Sequence, residues 1–299
     1  MPVSRETEFQ NMLHNCSLTN TPLQPFLKVK DQFLTQEEFA LFRNEDDSLL
    51  STLPIPEALG RYYESKEYIS HNNKSKGLIP FLYSLAQGLA LKAKKRLINE
   101  YAYSQNSLLD YGCGAGVFLT FMQKNGWKTE GVEPNASARN HSKETSGARV
   151  YSLEEFQSSN QKYEVITLWH VFEHIHNYNE VLQDLKTRLS PGGIIVIAVP
   201  NFKSWDAQYY KSDWAAYDVP RHLFHWSKKG IGHLASLHKL SLVDTKRMWF
   251  DAFYVSILSE KYRRSLFPFL QGLFIGMLSN ARAIFSGEAS SSVYVLKKD

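Results

Sequence analysis

The stretch Leu108–Leu119 reads LLDYGCGAGVFL. An apolar strand-like run ends at Asp110 and Tyr111. Gly112, Gly114 and Gly116 then alternate with Cys113 and Ala115, and Val117-Phe118-Leu119 opens a helix-like run. Glycine in a strand-to-helix turn permits positive φ and lets a ligand approach the backbone closely. The helix N-terminus beyond it offers free N–H groups. In an open α/β sheet, ligands sit outside the carboxyl ends of the strands, where such turns lie. The next segment, WKTEGVEP, reads as a strand ending in Glu133, a carboxylate placed to accept two ribose hydroxyls. The spacing Asp-x-Gly-x-Gly-x-Gly is not the Gly-x-Gly-x-x-Gly of a pyrophosphate binder.

On both sides of this turn the chain alternates. Leu78 to Tyr103 carries apolar residues at three- and four-residue spacing, as a helix does. After Glu133, NASARNHSKETSG reads as a polar surface helix and ARVYS as a short strand. YEVITLWH reads as a buried strand, and NYNEVLQDLKTRLSPGG as a helix stopped by Pro-Gly-Gly. IIVIAVP is as apolar as a central parallel strand. Strict β-α alternation implies an α/β fold, a mostly parallel sheet with helices on both faces.

The bulk numbers bound the reading. The chain has 299 residues, 43% hydrophobic and 21% charged, which suits one large globular domain or one domain plus an appendage. Net charge is +4 with no Lys/Arg tract, so no nucleic-acid partner is expected. The polar N-terminus MPVSRETEFQ has no apolar signal core, and two distant cysteines, Cys16 and Cys113, form no disulfide framework; a cytoplasmic setting is expected. The most apolar segment, Ser265–Phe285, is broken by Pro268, Gly272, Gly276, Ser279 and Asn280. Its wholly apolar runs fall far short of the roughly 20 residues a span needs, so no stable membrane insertion is expected.

Four stretches in order resemble the class I S-adenosylmethionine (SAM)-dependent methyltransferases: LLDYGCGAGVFL, GVEPN, YEVITLWHVFEHIHN and LSPGG. The resemblance is strong from about residue 106 to 200 and implies a Rossmann-like, seven-stranded, mostly parallel sheet with an antiparallel last strand. It implies SAM as cofactor and a methyl acceptor that is a small molecule, whether aromatic, anionic or lipid-like. By the same resemblance, Gly112, Gly114 and Gly116 would pack against the methionine and ribose, Asp110 would fix the loop or reach the methionine amino group, and Glu133 would bind the ribose. Ser152 and Leu153 would border the adenine, and Trp169 and His170 would lie beside the sulfonium. A protein that binds SAM or a nucleotide without catalysis, as regulator or scaffold, is the reading of a different class; the intact first motif with Glu133 supports binding in either case.

His170-Val-Phe-Glu173-His174 also matches His-x-x-Glu-His, the inverted zinc-protease signature. On a helix, His170 and His174 would share a face. The strand-like YEVITLW before His170 argues against that, so no metal is expected. His176 reads as structural, near the start of a helix, His174 stands open between a structural and a functional role, and Cys113 reads as a small buried filler.

The segment 201–227 holds Trp205, Tyr209, Tyr210, Trp214, Tyr217, Phe224 and Trp226 beside Asp218, Arg221, His222 and His225. It reads as a lid over the acceptor, with His222 or His170 as base and Arg221 as an anion clamp. The alternative is an aromatic subdomain in which Arg221 and Asp218 pair internally. DVPRHLFHWS resembles a segment of one subgroup of bacterial small-molecule methyltransferases that often begins with a zinc ribbon. Here Pro54-Ile-Pro56 matches its Pro-x-Pro, while Cys16, Thr19, Asn44 and Asp47 stand where its four cysteines would be. Residues 1–77 therefore read as a degenerate, metal-free appendage to a methyltransferase domain over 78–299. Within that domain, LSLVDTKRMWF and SSVYVLKK read as the last two strands. The segment 253–286 between them is a helical insertion, read as core packing, with a roof over the acceptor, a homodimer contact or a membrane surface as alternatives.

Overall fold

The computed structural model describes residues 15–63, 78–104 and 106–298, and of residues 78–84 the backbone only. The polar leader at 1–10 and the expected boundary at 77/78 lie outside the described residues. In chain order, β1 (Gln24–Lys30), β2 (Glu38–Arg43) and β3 (Leu49–Leu53) form an antiparallel meander. α1 (Leu78–Tyr101) leads into β4 (Ser107–Tyr111), α2 (Val117–Gln123), β5 (Lys128–Val132), α3 (Ala136–Ser146), β6 (Arg149–Tyr151), α4 (Leu153–Gln157) and β7 (Tyr163–Trp169). Then come α5 (Tyr178–Thr187), β8 (Leu189–Pro200), α6 (Trp205–Tyr210), β9 (Phe224–Trp226), α7 (Lys228–Leu237), β10 (Leu240–Arg247), α8 (Asp251–Tyr262), α9 (Pro268–Ser286) and β11 (Ser291–Lys298).

Seven strands form one sheet in the order β10-β11-β8-β7-β4-β5-β6. The pairs within β8-β7-β4-β5-β6 are parallel, while β11 runs antiparallel between β8 and β10. This is the expected topology, last strand included. Side chains of a strand alternate between faces. Leu109, Ile166, Ile195, Ile197 and Leu296 meet Leu182 and Leu185 of α5 and Ile231 and Leu234 of α7. Their neighbours Leu108, Val165, Ile194, Val196 and Val295 meet Leu97 and Ile98 of α1 and Phe118 and Met122 of α2. Both faces are covered, which is why IIVIAV reads as an unbroken apolar run.

Two expectations need correction. The N-terminal segment is no separate appendage, and 201–227 is no lid. β9, from the middle of that segment, is the fourth strand of the N-terminal sheet: Leu49 pairs with Trp226, Leu50 with His225 and Ser51 with Phe224. Trp226 also bridges to Asn201 at the end of β8, so one residue joins the two sheets. The aromatics are buried, with Trp214 and Trp226 at 1% and 0% exposure. They pack against Val29, Phe39, Leu41 and Leu50 of the meander and against Phe172 and Tyr178 of the catalytic half. The physical reason is supply and demand of apolar surface. The meander offers one apolar face, and the aromatic segment covers it.

The sites expected to descend from cysteines are filled by other bonds. Cys16 is a buried free thiol, and the Thr19 hydroxyl pairs with that of Thr21. The Asn44 side chain accepts from the N–H groups of Ser48 and Leu49 and donates to the Ser48 hydroxyl, closing the turn with an amide. Asp47 pairs with Lys203.

The helical insertion is an antiparallel pair, α8 and α9. A Cβ on Gly272 would stand 2.4 Å from the Ile257 Cα, and one on Gly276 would stand 2.8 Å from the Phe253 Cα. Small residues thus bring the two backbones together. Among the described residues no helix is long and apolar enough to cross a membrane.

Candidate active site

The turn after β4 sits where the sheet opens, with β5 on one side and β7 on the other. Gly112 packs under Val171, and a Cβ there would lie 2.5 Å from its Cγ2. Gly114 is different: it has φ +53°, and nothing lies within 4 Å of where its Cβ would be. The space beside Gly114 is therefore a cradle that a side chain would fill. Gly116, in the left-handed conformation, caps the N-terminus of α2. Between β5 and this turn, the Glu133 carboxylate accepts from the Gly114 N–H through Oε2 and from the Asn135 N–H through Oε1, both at 2.9 Å. A carboxylate has about four lone-pair positions, so two remain for a ligand. Burial pushes the Glu133 carboxyl up, and the two backbone donors oppose it.

A cavity of about 240 Å³ opens on the glycine turn. Asp110, Gly112, Gly114 and Trp169 line it, as the sequence led one to expect; so do Cys113 and, from α1, Lys94. Asp110 is buried and accepts from the Thr167 hydroxyl at 2.7 Å. Burial raises its carboxyl to about 6, with Thr167 and Lys94 pulling the other way. Lys94 lies 4.2 Å from the centre of the Trp169 ring. Burial lowers its ammonium, while Asp110 and Asp251 hold it up. The indole N–H of Trp169 is buried without a hydrogen-bond partner among the described residues. The Cys113 thiol is pushed up to about 12 by burial and by Asp110, so it is no nucleophile.

A cation, a carboxylate, an orphaned N–H and an unfilled glycine cradle on one wall are the donor set for an amino-acid zwitterion continuing into a ribose. The residues present therefore fit the methionine and ribose parts of SAM. Glu133 and Gly116 are not among the lining residues, and Glu133 adjoins the cavity through its bond to the Gly114 N–H. Ser152 and Leu153 begin α4 next to β6, whose Tyr151 is the parallel partner of Val132. The Ser152 hydroxyl and N–H are both engaged in a capping box with Glu155. Lys94 was missed by sequence reasoning. Its signal was there: it falls between Leu91 and Ile98 on the core-facing stripe of α1, where an apolar residue belongs.

The second group lies at the end of β7. His170 has φ +56°, an uncommon conformation for a residue other than glycine. Its Nε2 is 3.0 Å from Asp251 Oδ2 and its Nδ1 is 3.4 Å from Glu173 Oε1. Burial pulls the imidazole down, but Asp251 and Glu173 outweigh it and hold it up to about 10. His170 is thus an imidazolium between two carboxylates, which corrects its expected role as base. The His-x-x-Glu-His helix is also absent: Phe172–His174 is one 3-10 turn following a strand end.

Glu173 is buried, with the His170 Nδ1–H at 3.4 Å from its Oε1. His174 donates from Nδ1 to the Arg221 carbonyl at 2.9 Å, and His222 from Nδ1 to the Ala216 carbonyl at 2.8 Å. A carbonyl only accepts, so each ring keeps its lone pair on Nε2. Burial, then His222, pulls His174 down to about 4. Glu173, His174 and His222 offer ligand atoms all within 4.8 Å of one another, the one such group of His, Cys, Asp and Glu among the described residues. This group is able to pass a proton or to hold a cation.

Arg221 is not an anion clamp. It is 1% exposed, and its fork is fully engaged: Nε and Nη2 donate to Asp218 at 3.0 and 2.5 Å, Nη2 also to Asp31 at 2.9 Å, and Nη1 to the Tyr62 carbonyl at 3.1 Å. It ties the N-terminal sheet to the aromatic segment. The internal pairing with Asp218 is the alternative the sequence left open, and Asp31 is the partner it could not show. Neither Arg221 nor His222 lines the cavity.

The geometry can now be set beside known proteins. The ubiquinone biosynthesis O-methyltransferase of Histophilus somni (strain 2336) is 27% identical over 150 residues, covering 42% of this chain and 63% of that one. Its counterpart from Actinobacillus pleuropneumoniae serotype 7 (strain AP76) is 30% identical over 106 residues, covering 31% and 45%. The chain thus spans between about half and two thirds of the length of these relatives. Among solved structures, the magnesium protoporphyrin IX methyltransferase of Synechocystis PCC 6803 with bound SAH superposes with a TM-score of 0.54 at 9% identity, covering 81% of this chain and 98% of that one, and so shares the fold. The family described as methyltransferase domain matches residues 83–244, from the helix that carries Lys94 through β10. That match takes in the glycine turn, Glu133 and the β7 terminus and exceeds half the chain, which therefore belongs to the class I SAM-dependent methyltransferase family.

Proposed function

We propose that this chain binds SAM in the cavity at the glycine turn and transfers its methyl group to a small-molecule acceptor. The observation that carries the reading is Lys94 and Asp110 on one cavity wall beside the open cradle at Gly114. The first suits the α-carboxylate of the methionine part and the second its ammonium, with the remaining lone pairs of Glu133 for the ribose hydroxyls. When bound, SAM supplies an electrophilic methyl on a sulfonium. Transfer is an in-line displacement, so alignment in a dry cavity is the protein's main task. Trp169 and Phe118, packed edge to face at 5.5 Å, form the water-excluding wall.

His222 stands apart from the residues that line the SAM cavity, and we assign it receipt of the acceptor's proton at Nε2 on the premise that the acceptor reaches the Glu173–His174–His222 group from that cavity. The His222 Nδ1–H is fixed on a carbonyl, and Glu173 is at hand to steady the charge the ring acquires. His170 is a positioning residue: its imidazolium neutralises Glu173 and ties the β7 terminus to α8 through Asp251. The names of the relatives favour a hydroxylated acceptor and oxygen methylation. A cytoplasmic setting, consistent with two buried free thiols, belongs to the same proposal.

Calorimetry with SAM tests the binding half. Glu133→Ala is expected to weaken binding by about 1.5–3 kcal/mol, because a charged acceptor of hydroxyl bonds is lost. Equal affinity in Glu133→Ala and the native chain would sink the ribose assignment. Turnover with a panel of hydroxylated small molecules tests the other half: His222→Ala is expected to lower kcat and leave SAM affinity unchanged. Full turnover in that variant would remove His222 from the mechanism.

A further inference from the structure

The helical insertion is built inside out. Along α9, the face turned to α8 and the core carries small residues, Gly272, Gly276, Ser279 and Ala283. The opposite face and the turn before it carry the large ones. Leu266 is 88% exposed and Phe285 is 92% exposed, with Phe267, Leu270, Phe274 and Met277 between them at 53–65%. From Phe267 these residues follow the three- and four-residue spacing of one helical stripe. A surface helix in water has the reverse arrangement. Scattered apolar side chains on a surface are ordinary, but a continuous stripe of this size marks an interaction surface. The expected core packing covers one face of the segment, where Val255 and Ile275 join the core beside the small residues; the exposed stripe is a second face.

The charges around the stripe choose the occupant. Between residues 246 and 287, each fully exposed charged side chain is basic: Lys246, Arg247, Lys261, Arg263, Arg264 and Arg282. The acids of the same stretch are engaged inward, Asp251 on His170 and Glu260 on Tyr210 and Ser265. Lys246 pairs with Asp244, and Arg263 with Asp213. At the turn between α8 and α9, Arg263 and Arg264 immediately precede the most exposed apolar residues, Leu266 and Phe267. Apolar side chains flanked by an excess of cations match a bilayer surface with anionic headgroups, where rings and aliphatic chains enter the acyl boundary and arginines meet phosphates. Among the described residues no helix is long and apolar enough to span, and the proposed contact is a peripheral one.

We propose that the α8–α9 pair docks the protein on anionic lipid membranes, the Leu266–Phe285 stripe entering the interface and Lys261, Arg263, Arg264 and Arg282 contacting headgroups. This goes beyond the methyl-transfer reading and does not depend on it. The stripe lies outside the segment matched by the methyltransferase family, so it belongs to this chain's own insertion.

Co-sedimentation with vesicles tests it, comparing phosphatidylcholine alone with phosphatidylcholine plus phosphatidylglycerol. The full chain is expected to partition to the anionic vesicles and to release as salt is raised. The double variant Phe267→Asp, Leu270→Asp is expected to lose partition by about tenfold or more, and Arg264→Glu by several-fold, with unchanged far-UV circular dichroism and melting. Both sites are solvent-facing, so folding survives. A native chain that stays in the supernatant with anionic vesicles would overturn the proposal, as would a double variant that partitions like the native chain. A lipid-free dimer in sedimentation velocity that the double variant dissolves, without vesicle binding by the native chain, would assign the stripe to a second copy instead.

Discussion

Removing Arg221 is expected to destabilise the N-terminal sheet, whose Asp31 it holds, without touching the cofactor site. The side chain is 1% exposed and Asp31 is fully buried. Asp31 also accepts from the N–H groups of Phe33, Leu34 and Thr35, and so shapes the turn between β1 and β2. In Arg221→Ala, the Asp31 and Asp218 carboxylates lose the guanidinium that joins them, and the Tyr62 carbonyl loses a donor. Deleting one member of a buried charge set costs about 3–5 kcal/mol, most of it the uncompensated charge left behind. For a chain of this size that corresponds to a melting shift on the order of 10 °C. Arg221→Lys keeps the charge but cannot span Asp218 and Asp31 with one fork, so an intermediate loss is expected. Urea denaturation followed by tryptophan fluorescence reads the stability, and calorimetry with SAM at low temperature reads the site. Unchanged stability together with at least tenfold weaker acceptor turnover would refute the reasoning and return Arg221 to the active site.

Lys94→Met should weaken SAM binding by about 1.5–3 kcal/mol while leaving melting near native, since an apolar residue suits that helix stripe; unchanged affinity in calorimetry would remove it from the site. Gly114→Ala should fold yet bind SAM poorly because its methyl enters the cradle, whereas Gly112→Ala should be the less stable of the two because of Val171; parallel melts and titrations separate them. His170, raised to about 10 in the fold, contributes stability that is fully present below the ordinary histidine value of 6.5 and is lost as pH rises through about 10. The gap in urea midpoint between the native chain and His170→Gln should therefore shrink between those limits, and a gap that widens there would contradict the imidazolium. Because that imidazolium already supplies Glu173 with a cation, elemental analysis of untagged protein is expected to find no stoichiometric metal; one equivalent that disappears in His222→Ala would put a cation on Glu173, His174 and His222.

What the sequence made legible was local. The strand-turn-helix at Asp110–Gly116, Glu133 after the next strand, and the two-sided apolar strand Ile194–Val199 each carry their signal within a dozen residues, and all stand where the spacing put them. What it hid was the far partner. Arg221 next to Asp218 looked half free because Asp31 is 190 positions away. His170 looked like a base because the second carboxylate, Asp251, comes from a helix beyond three more strands. The aromatics of 201–227 plainly needed a surface to cover, and a lid was one answer. The meander β1–β3 was the other, and its strands are too ordinary to announce which face is bare. Lys94 was visible as a charge in an apolar stripe and was passed over, because the stripe alone explained the helix.

The strand β9 has a consequence for how the chain acquires its shape. Thr52 bonds the carbonyl of His222 and the ring of His225, contacts separated by about 170 residues. During synthesis β1–β3 are complete long before Phe224–Trp226 exist, so the meander must wait with one edge unpaired and its apolar face wet. Contacts this distant in sequence are slow to form, and an open strand edge invites pairing with another chain meanwhile. The arrival of β9 closes that edge and seals Trp226 between the two sheets, and β11, synthesised later still, then fills the place between β8 and β10. A fragment trimmed to the family-matched residues 83–244 would carry β9 with no meander to receive it and would leave Trp214, Tyr217 and Trp226 as a new sticky surface. For this protein the smallest unit that can fold is therefore larger than the smallest unit that bears the methyltransferase motifs.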